Sequence, residues 1–283
     1  MSEKITEISI VMITKNEEAG IAHTLSQLTD FTDIVVVDSH SADRTAEIAE
    51  SLGARVVDFV WNGEMPKKKQ WSLENGGALN PWVLFLDADE YPTPEMVAEL
   101  RALIPELRER KYGAYDATLK YRYAGKFLRH GHKVAKRILL DTRVTRWDID
   151  DREAPGIPEL ELHYQASTTG RIGTLKSLLV HDDQDPVSSW FTRHNAYSTW
   201  EAYLRTHPEL RARIAENRTG QGKLWNKVPF KPLVFFFYSW VIRGGFLDGR
   251  AGFDYAFAQS AYYWQIGLKV RELERAGESA ELN

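Results

Sequence analysis

The sequence feature that most restricts the fold is a short apolar run, residues 82–86 (WVLFL), which ends in Asp87, Asp89 and Glu90. A run this short, with proline on either side, is typical of a strand buried on both faces of a sheet. Carboxylates at the carboxyl end of such a strand lie in the crevice where open α/β sheets bind ligands. Two aspartates spaced i, i+2 suit a hard divalent cation such as Mg²⁺ or Mn²⁺. A helix cap or an acidic turn would explain the same residues, so the rest of the chain has to decide.

The first ninety residues alternate strand and helix patterns, which predicts a doubly wound, mostly parallel sheet. The predicted strands are 8–14, 34–37, 55–60 and the run at 82, and the predicted helices are 17–28, 41–52 and 95–103. After residue 112 the pattern changes: alternation over 115–123 predicts a half-exposed strand, and 135–140 and 159–165 are typical of further strands. Residues 187–207 have helical spacing, and the tail is rich in aromatic residues.

Composition excludes several classes of function. The chain of 283 residues has no cysteine, which excludes disulfides, thiolate metal sites and cysteine nucleophiles. Its net charge of −4 gives no basic field that would attract nucleic acid. Since no glycine-rich dinucleotide or Walker-type turn follows a predicted strand, dehydrogenases and P-loop phosphotransferases are disfavoured. A polar N-terminus without a signal peptide, and a longest apolar run (233–242) too short to span a bilayer, predict a cytoplasmic protein that is soluble or peripheral on the membrane.

Polar groups end three of the predicted strands, at residues 14–17, 38–41 and 87–89, and parallel strands bring such ends to one edge of the sheet. The surrounding segments, 8–18, 34–45 and 84–90, resemble the three nucleotide-binding segments of family 2 glycosyltransferases with the GT-A fold. Residues 245–253 (GFLDGRAGF) and the aromatic tail are similar to the branch that adds β-glucose to the inner core of lipopolysaccharide.

The resemblance implies an α/β fold of GT-A type: a Rossmann-like, mostly parallel mixed sheet flanked by helices, with a helical, aromatic-rich C-terminal extension. It divides the chain into a nucleotide-sugar-binding half of the domain (1–112), an acceptor-binding and catalytic half (113–186) and the extension (187–283). The activity implied is an inverting, metal-dependent transfer of a hexose, from a UDP-sugar, to a lipid-linked or lipopolysaccharide-type glycan. We weigh against it a sugar-1-phosphate nucleotidyltransferase, which would need a glycine-rich basic loop after the first strand, and a catalytically inactive nucleotide-sugar-binding protein.

The resemblance also assigns roles to individual residues. Thr14 and Glu17 would line the nucleobase and ribose pocket, and Asp38 would accept a hydrogen bond from the base, expected to be uracil. Asp87 would contact the ribose or reach the metal through water. Asp89 would ligate Mn²⁺ or Mg²⁺ at the diphosphate, where the cation stabilises the departing nucleoside diphosphate.

Two further sites are open to alternative interpretations. The lysine run, of which Lys67 and Lys69 are candidates, would add positive charge at the diphosphate; a solvated loop would have the same composition. His181 follows an apolar run and would supply a third metal ligand; a turn before a helix would also explain it.

Inverting transfer needs a carboxylate within hydrogen-bond reach of the acceptor hydroxyl. The resembling branch takes it from a Val-His-Glu-like motif, from which residues 156–164 (GIPELELHY) depart. Glu159, Glu161 and His163 alternate and would share one face of the predicted strand. We therefore predict Glu161 as the base and Glu159 as the second choice, with polar edge-strand residues as the alternative.

Residues 225–243 combine aromatic and aliphatic side chains with Lys227, Lys231 and Arg243. This composition is typical of an interfacial anchor that faces anionic lipid, as an acceptor in a membrane would require. A homodimer interface or a buried helix would also account for it.

Overall fold

A computed structural model of the chain describes residues 3–155, 159–161, 164–216 and 228–281. Its strands are β1 (Ile8–Thr14), β2 (Ile34–Asp38), β3 (Arg55–Asp58), β4 (Trp82–Asp87), β5 (Glu90–Pro92), β6 (Ala114–Tyr123), β7 (Lys126–Phe127), β8 (Ala135–Asp141), β9 (Thr145–Arg146), β10 (Ser167–Thr168) and β11 (Ile172–His181). Its helices are α1 (Ile21–Ser26), α2 (Thr45–Ser51), α3 (Lys68–Asn75), α4 (Pro94–Glu109), α5 (Val187–Thr206), α6 (Pro208–Glu216), α7 (Lys231–Phe237) and α8 (Arg250–Glu281). A π-helical turn (Tyr238–Ile242) and a 3-10 turn (Gly245–Asp248) join α7 to α8.

One mixed sheet runs through both halves of the chain, in the order β3-β2-β1-β4-β8-β6-β11-β5, with β7 paired on β6. Strands β3, β2, β1 and β4 are parallel, and β8 is antiparallel to both of its neighbours. Strand β11 returns parallel to β6 and carries the short β5 antiparallel on its outer side. Because β1, β2 and β4 run the same way, their carboxyl ends meet at one edge of the sheet.

Strand β1 illustrates why the sheet is covered on both faces. All seven of its residues are buried. Ile8, Ile10 and Met12 belong to the core under α1 and α4, whereas Val11 and Ile13 belong to the core under α3 and α5. A strand with two apolar faces must be covered by helices on both sides. The predicted α/β architecture is therefore confirmed.

Helix α4 begins where the sequence predicts and ends later. Thr93 caps it by accepting a hydrogen bond from the Met96 N–H at 3.3 Å. The helix continues through Pro105 because Leu107 is buried in the core and its carbonyl accepts a hydrogen bond from the Trp82 indole at 3.0 Å. Tertiary packing thus extends the helix beyond the boundary that the local pattern indicates.

Three predicted elements need correction. The helices predicted at 17–28 and 41–52 begin only at Ile21 and Thr45, because the residues before them form loops that hydrogen-bond to each other. The strand predicted at 159–165 is wrong for the described part of that range, because neither 159–161 nor 164–165 lies in a strand. The carboxylate of Glu161 caps α3 instead of pointing from a sheet face.

The C-terminal region is helical and rich in aromatic side chains, as predicted. Helix α8 packs between α5 and α7, and its inner face joins a cluster that includes Tyr255, Trp190 and Tyr123. No helix in the described ranges combines the length and the apolar character needed to cross a bilayer.

Candidate active site

Three parallel strands carry polar side chains to one edge of the sheet. Thr14 ends β1 beside Asp38 of β2, and Asp87 ends β4 beside Ile13. Asp38 is buried, and its carboxylate accepts hydrogen bonds from the Ser41 N–H at 2.7 Å and from the Ser41 hydroxyl at 2.5 Å. The structure therefore brings Thr14, Asp38 and Asp87 together, because they end neighbouring strands that run in the same direction.

The loops after β1 and β2 hold each other in place. Asn16 and His40 both have left-handed backbone, with φ of 57° and 50°. The Asn16 side-chain oxygen accepts a hydrogen bond from the Ala42 N–H at 2.8 Å, and the Ser41 hydroxyl accepts one from the Asn16 N–H at 2.8 Å. Left-handed backbone outside glycine costs about 1–3 kcal/mol and persists where its surroundings enforce it, often at ligand sites. These loops form a rigid wall beside Asp38.

Two buried hydroxyl groups at this edge, on Thr14 and Ser39, have no hydrogen-bond partner in the part of the chain that the structure describes. A buried hydroxyl left without a partner costs about 1–3 kcal/mol. Such groups mark a place where a ligand or a water molecule completes the bonding. Both lie at the ends of β1 and β2, next to Asp38.

Glu17 follows β1 and is half-buried, with its backbone N–H bonded to the Thr45 hydroxyl at 2.8 Å. Burial and, next, the negative charges of Asp89 and Asp185 raise the pKa of Glu17 to about 8. At neutral pH its carboxyl group is therefore mostly protonated and can donate a hydrogen bond as well as accept one. A ribose hydroxyl is a partner that this group would suit.

Asp87 is held by a lysine from a strand that the sequence analysis did not connect with it. The Lys136 ammonium donates to Asp87 at 2.6 Å and to the buried Glu90 at 2.5 Å. Burial alone would raise the pKa of Asp87, but Lys136 and then Lys69 lower it to about 2. Asp87 is thus a fixed anion, oriented by Lys136 and by the bond from its own N–H to Glu90 at 2.9 Å.

A group of possible metal ligands lies next to it. Asp89, His181 and Asp183 each offer one ligand atom, and these three atoms lie within 4.8 Å of one another. The group forms because β5 pairs with β11, which places His181 opposite Glu90. Opposite ligands of one divalent cation are about 4–5 Å apart, so the spacing of these atoms fits a shared ion.

The charges of this group also suit a cation. Burial and then the neighbouring Glu90, Asp87 and Asp183 raise the pKa of Asp89 to about 6, despite the opposing effect of His181. Burial disfavours the charge on His181, but Asp89 and Glu90 raise its pKa to about 9. The His181 imidazolium lies 3.4 Å from Asp89 and 3.3 Å from Glu90. It therefore balances part of the negative charge of these carboxylates, as a bound metal ion would.

These pKa values predict a proton release on metal binding. At about pH 7.5 His181 is protonated and Asp89 is ionised, and a metal-bound imidazole must be neutral. If His181 is a ligand, binding of Mn²⁺ should release about one proton per site. Titration calorimetry in buffers of different ionisation enthalpy measures this number. His181→Gln should bind Mn²⁺ more weakly and without the proton release. The control His207→Gln, at the far end of α5, should behave as the wild type. Mn²⁺ binding to the wild type with no proton release would exclude His181 as a ligand.

The three consecutive lysines at 67–69 lie in different surroundings. Lys67 is 2% exposed and its ammonium pairs with the buried Asp151 at 2.6 Å, so its charge is already neutralised in the core. Lys68 donates to the Thr14 carbonyl at 2.8 Å, and burial lowers its pKa to about 8. Burial also lowers the pKa of Lys69, against the attraction of Asp87. Lys68 and Lys69 are thus the members of the run that lie beside the carboxylates of the crevice.

The two predicted bases, Glu161 and Glu159, differ in burial and in their hydrogen-bond partners. Glu161 is fully buried, and its carboxylate accepts hydrogen bonds from the N–H groups of Lys69 at 2.8 Å and Gln70 at 3.0 Å, at the start of α3. Burial raises the pKa of Glu161. Glu159 keeps a partly exposed carboxylate that pairs with Lys15 at 3.1 Å. His163 lies outside the described residues.

Sequence reasoning did not find Lys136 or assign a role to Glu90 and Asp183. Lys136 is the second residue of β8 and lies 49 residues from Asp87, and nothing in the neighbouring sequence marks it as a partner of Asp87. Asp183 lies two residues after His181, and both come close to Asp89 because β11 pairs with β5. No local sequence pattern indicates that pairing. Arg193 of α5 pairs with Asp183 at 2.6 Å and with Asp185 at 2.5 Å.

The sequence of this chain is similar to a known protein family and to individual members of it. The sequence model for "Glycosyl transferase family 2" matches residues 9–162, which is more than half of the chain. An uncharacterized glycosyltransferase of Rickettsia typhi is 38% identical over 120 residues, covering 42% of this chain and 40% of that protein. The chain therefore spans less than half the length of this relative.

Two further similarities differ in extent. The lipopolysaccharide core biosynthesis glycosyltransferase LpsC of Rhizobium meliloti is 26% identical over 280 residues, 93% of this chain and 94% of that protein. The solved structure of glucosyl-3-phosphoglycerate synthase from Mycobacterium tuberculosis, with Mn²⁺, UDP and glucosyl-3-phosphoglycerate, matches with a TM-score of 0.30 and 28% identity. It covers 42% of this chain and 44% of that one.

Proposed function

The chain belongs to glycosyltransferase family 2, and we propose that it transfers a hexose from a UDP-sugar to a lipopolysaccharide-type glycan, with inversion and with a bound divalent cation. The observation that carries this proposal is the convergence of Asp38, Asp87, Asp89 and His181 at one edge of the sheet. Family membership gives the nucleotidyltransferase alternative no support. The donor, the acceptor and the metal are argued below from the residues at the site.

The nucleoside would bind at the ends of β1 and β2. The Asp38 carboxylate has lone pairs beyond those that Ser41 occupies, and it can accept a hydrogen bond from the imide N–H of uracil. Adenine and cytosine have no equivalent imide N–H, although guanine has one. The unpartnered hydroxyls of Thr14 and Ser39, and the protonated Glu17, supply donors and acceptors for the remaining base and ribose atoms.

The cation would be held by Asp89 and His181, with Asp183 as a further ligand, and Asp87 would lie within reach of the ribose or of a metal-bound water. A mixed set of carboxylate and imidazole ligands fits Mn²⁺ well and also allows Mg²⁺. When bound, the cation supplies Lewis-acid stabilisation of the departing diphosphate.

Positive charge from the protein would complete the diphosphate site. Lys69 is the best candidate, because its ammonium lies among Asp87, Glu161 and Trp147 in the crevice, and Lys68 lies beside it. The buried pairing of Lys67 with Asp151 leaves that lysine a structural role.

The acceptor hydroxyl attacks the anomeric carbon, the bond from that carbon to the β-phosphate oxygen breaks, and the hydroxyl proton passes to a carboxylate. Of the two predicted bases, Glu159 fits this role better because its carboxylate reaches solvent. The Glu161 carboxylate accepts hydrogen bonds from the backbone N–H groups of Lys69 and Gln70, and it thereby positions the start of α3 and Lys69. The similarity to LpsC along 93% of the chain supports a lipopolysaccharide-type acceptor.

Thermal unfolding with nucleotides tests the proposal. With Mn²⁺ present, UDP at about 100 times its Kd should stabilise the folded protein by about 2.7 kcal/mol, a shift of several degrees in Tm. ADP and CDP should have little effect, and chelation of the metal should remove most of the UDP shift. UDP-glucose and UDP-galactose, in assays of donor hydrolysis and of transfer to truncated lipopolysaccharide, then identify the sugar.

The variant Asp38→Asn tests the assigned role of Asp38, because it keeps the size of the side chain but replaces one acceptor oxygen by a donor. It should reduce the UDP shift while leaving the Tm without ligand near that of the wild type. A larger Tm shift with GDP than with UDP would move the donor to GDP-sugars, and no shift with any nucleotide would contradict the proposal.

A further inference from the structure

The outer faces of α7 and α8 expose a continuous apolar surface. Exposed side chains recur at helical spacing along α7 and the π-helical turn after it, and along α8. They are Leu233, Phe237, Val241, Phe253, Phe257 and Trp264, which we call the apolar face. The ring of Phe236 joins the two helices, with centroids 5.6 Å from Phe253 and 6.5 Å from Phe257. Contiguous exposed surface of this kind marks an interaction site.

The turns that connect the two helices extend this surface with three more exposed apolar side chains. Ile242, Phe246 and Leu247, the apolar tip, are 74%, 51% and 61% exposed. The backbone beneath them is well fixed: the buried Asp248 carboxylate accepts hydrogen bonds from the backbone N–H groups of Arg129 at 2.9 Å and His130 at 2.8 Å. The tip is therefore a rigid feature that presents large apolar side chains to the surroundings.

Basic residues border the tip. Arg243 and Arg250 flank it in sequence and are exposed, and the β6–β8 connection that packs against it contributes exposed Lys126, Arg129 and Lys133. Residues 117–140 contain no Asp or Glu, although the chain as a whole has a net charge of −4. Positive charge therefore exceeds negative charge beside the exposed apolar side chains, with Asp254 paired to Arg250 at 3.7 Å.

We propose that the apolar face and the apolar tip dock on the surface of an anionic lipid bilayer. Apolar side chains would enter the boundary between headgroups and acyl chains, while the basic border would contact anionic headgroups. A second copy of the chain is a poorer occupant, because a two-fold contact would place the same basic border against itself.

The apolar face and the apolar tip lie close to the proposed metal site. On the inner side of α8, Tyr255 packs against Tyr121 with ring centroids 5.6 Å apart. Tyr121 in turn stacks on His181 at 4.8 Å. The docking surface is therefore one helix away from the proposed metal ligands, as the transfer of a sugar to a membrane-borne acceptor would require.

Vesicle sedimentation of the full chain tests the proposal independently of catalysis. Vesicles of equal parts phosphatidylglycerol and phosphatidylcholine should bind the protein, and vesicles of phosphatidylcholine alone should bind it much less. Leu247→Glu should weaken binding by about tenfold or more, since a leucine is then replaced by a charge in the interface. Arg250→Gln should weaken it by about fivefold, and only on the anionic vesicles.

Leu79→Glu is the matched control for Leu247→Glu, because Leu79 is 76% exposed at the opposite edge of the sheet, before β4. It should bind as wild type, and the Tm of each variant verifies that it folds. Wild-type protein that binds neither kind of vesicle, or Leu247→Glu that binds as wild type, would overturn the proposal. A wild-type dimer that Leu247→Glu converts to a monomer, with no change in vesicle binding, would assign the surface to a homodimer instead.

Discussion

The variant Asp89→Asn should transfer sugar about a hundredfold to a thousandfold more slowly than the wild type, because the cation that stabilises the departing diphosphate is worth several kcal/mol. Asparagine keeps the size of the side chain but removes the negative charge from the proposed ligand. The loss should appear in the rate of donor hydrolysis and transfer with saturating Mn²⁺, and the Mn²⁺-dependent part of the UDP shift in Tm should disappear.

The control for this variant is Asp58→Asn, at the same edge of the sheet but exposed at the end of the outermost strand, β3. It should retain nearly full activity. The metal role of Asp89 would have to be abandoned if Asp89→Asn kept wild-type activity, or if the wild type worked equally well in the presence of a chelator.

The second large effect is expected at Lys67, on folding and not on catalysis. Lys67 and Asp151 are 2% and 0% exposed, and Asp151 also accepts a hydrogen bond from the Trp200 indole at 3.1 Å. The variant Lys67→Met should lower the free energy of unfolding by about 3–5 kcal/mol, since it leaves a buried carboxylate without its counter-charge. Denaturant unfolding measures the change.

The neighbouring Lys69→Met provides the contrast, because it removes the same charge from the crevice side of the run. It should weaken UDP binding with little loss of stability. The double variant Lys67→Met, Asp151→Asn should recover part of the stability, because a neutral amide needs no counter-charge. A stable Lys67→Met with weakened UDP binding would instead support the sequence-based assignment of Lys67 to the diphosphate.

The extent to which sequence predicted this site depended on how local each feature is. Residues 82–86 are apolar on both faces, so the buried strand and the position of Asp87 at its end followed from the pattern. The helix at Thr93 followed from its cap. The segment around Glu161 was interpreted as a strand because its polar residues alternate, but the Glu161 carboxylate bonds to the start of α3, more than ninety residues earlier. Alternation cannot distinguish a strand from a loop whose carboxylate is held by a distant helix.

The sequence by itself determined the α/β class, the four parallel strands of the first half, and the fact that Thr14, Asp38 and Asp87 end parallel strands. These are consequences of hydrophobic periodicity, which acts over a few residues. The tertiary structure alone decided which distant residues complete the site, His181 beside Asp89 and Lys136 between Asp87 and Glu90. It also decided that Lys67 pairs with the buried Asp151. Such pairings depend on strand order and register across the whole sheet, and on which charges the core encloses, so no local pattern records them.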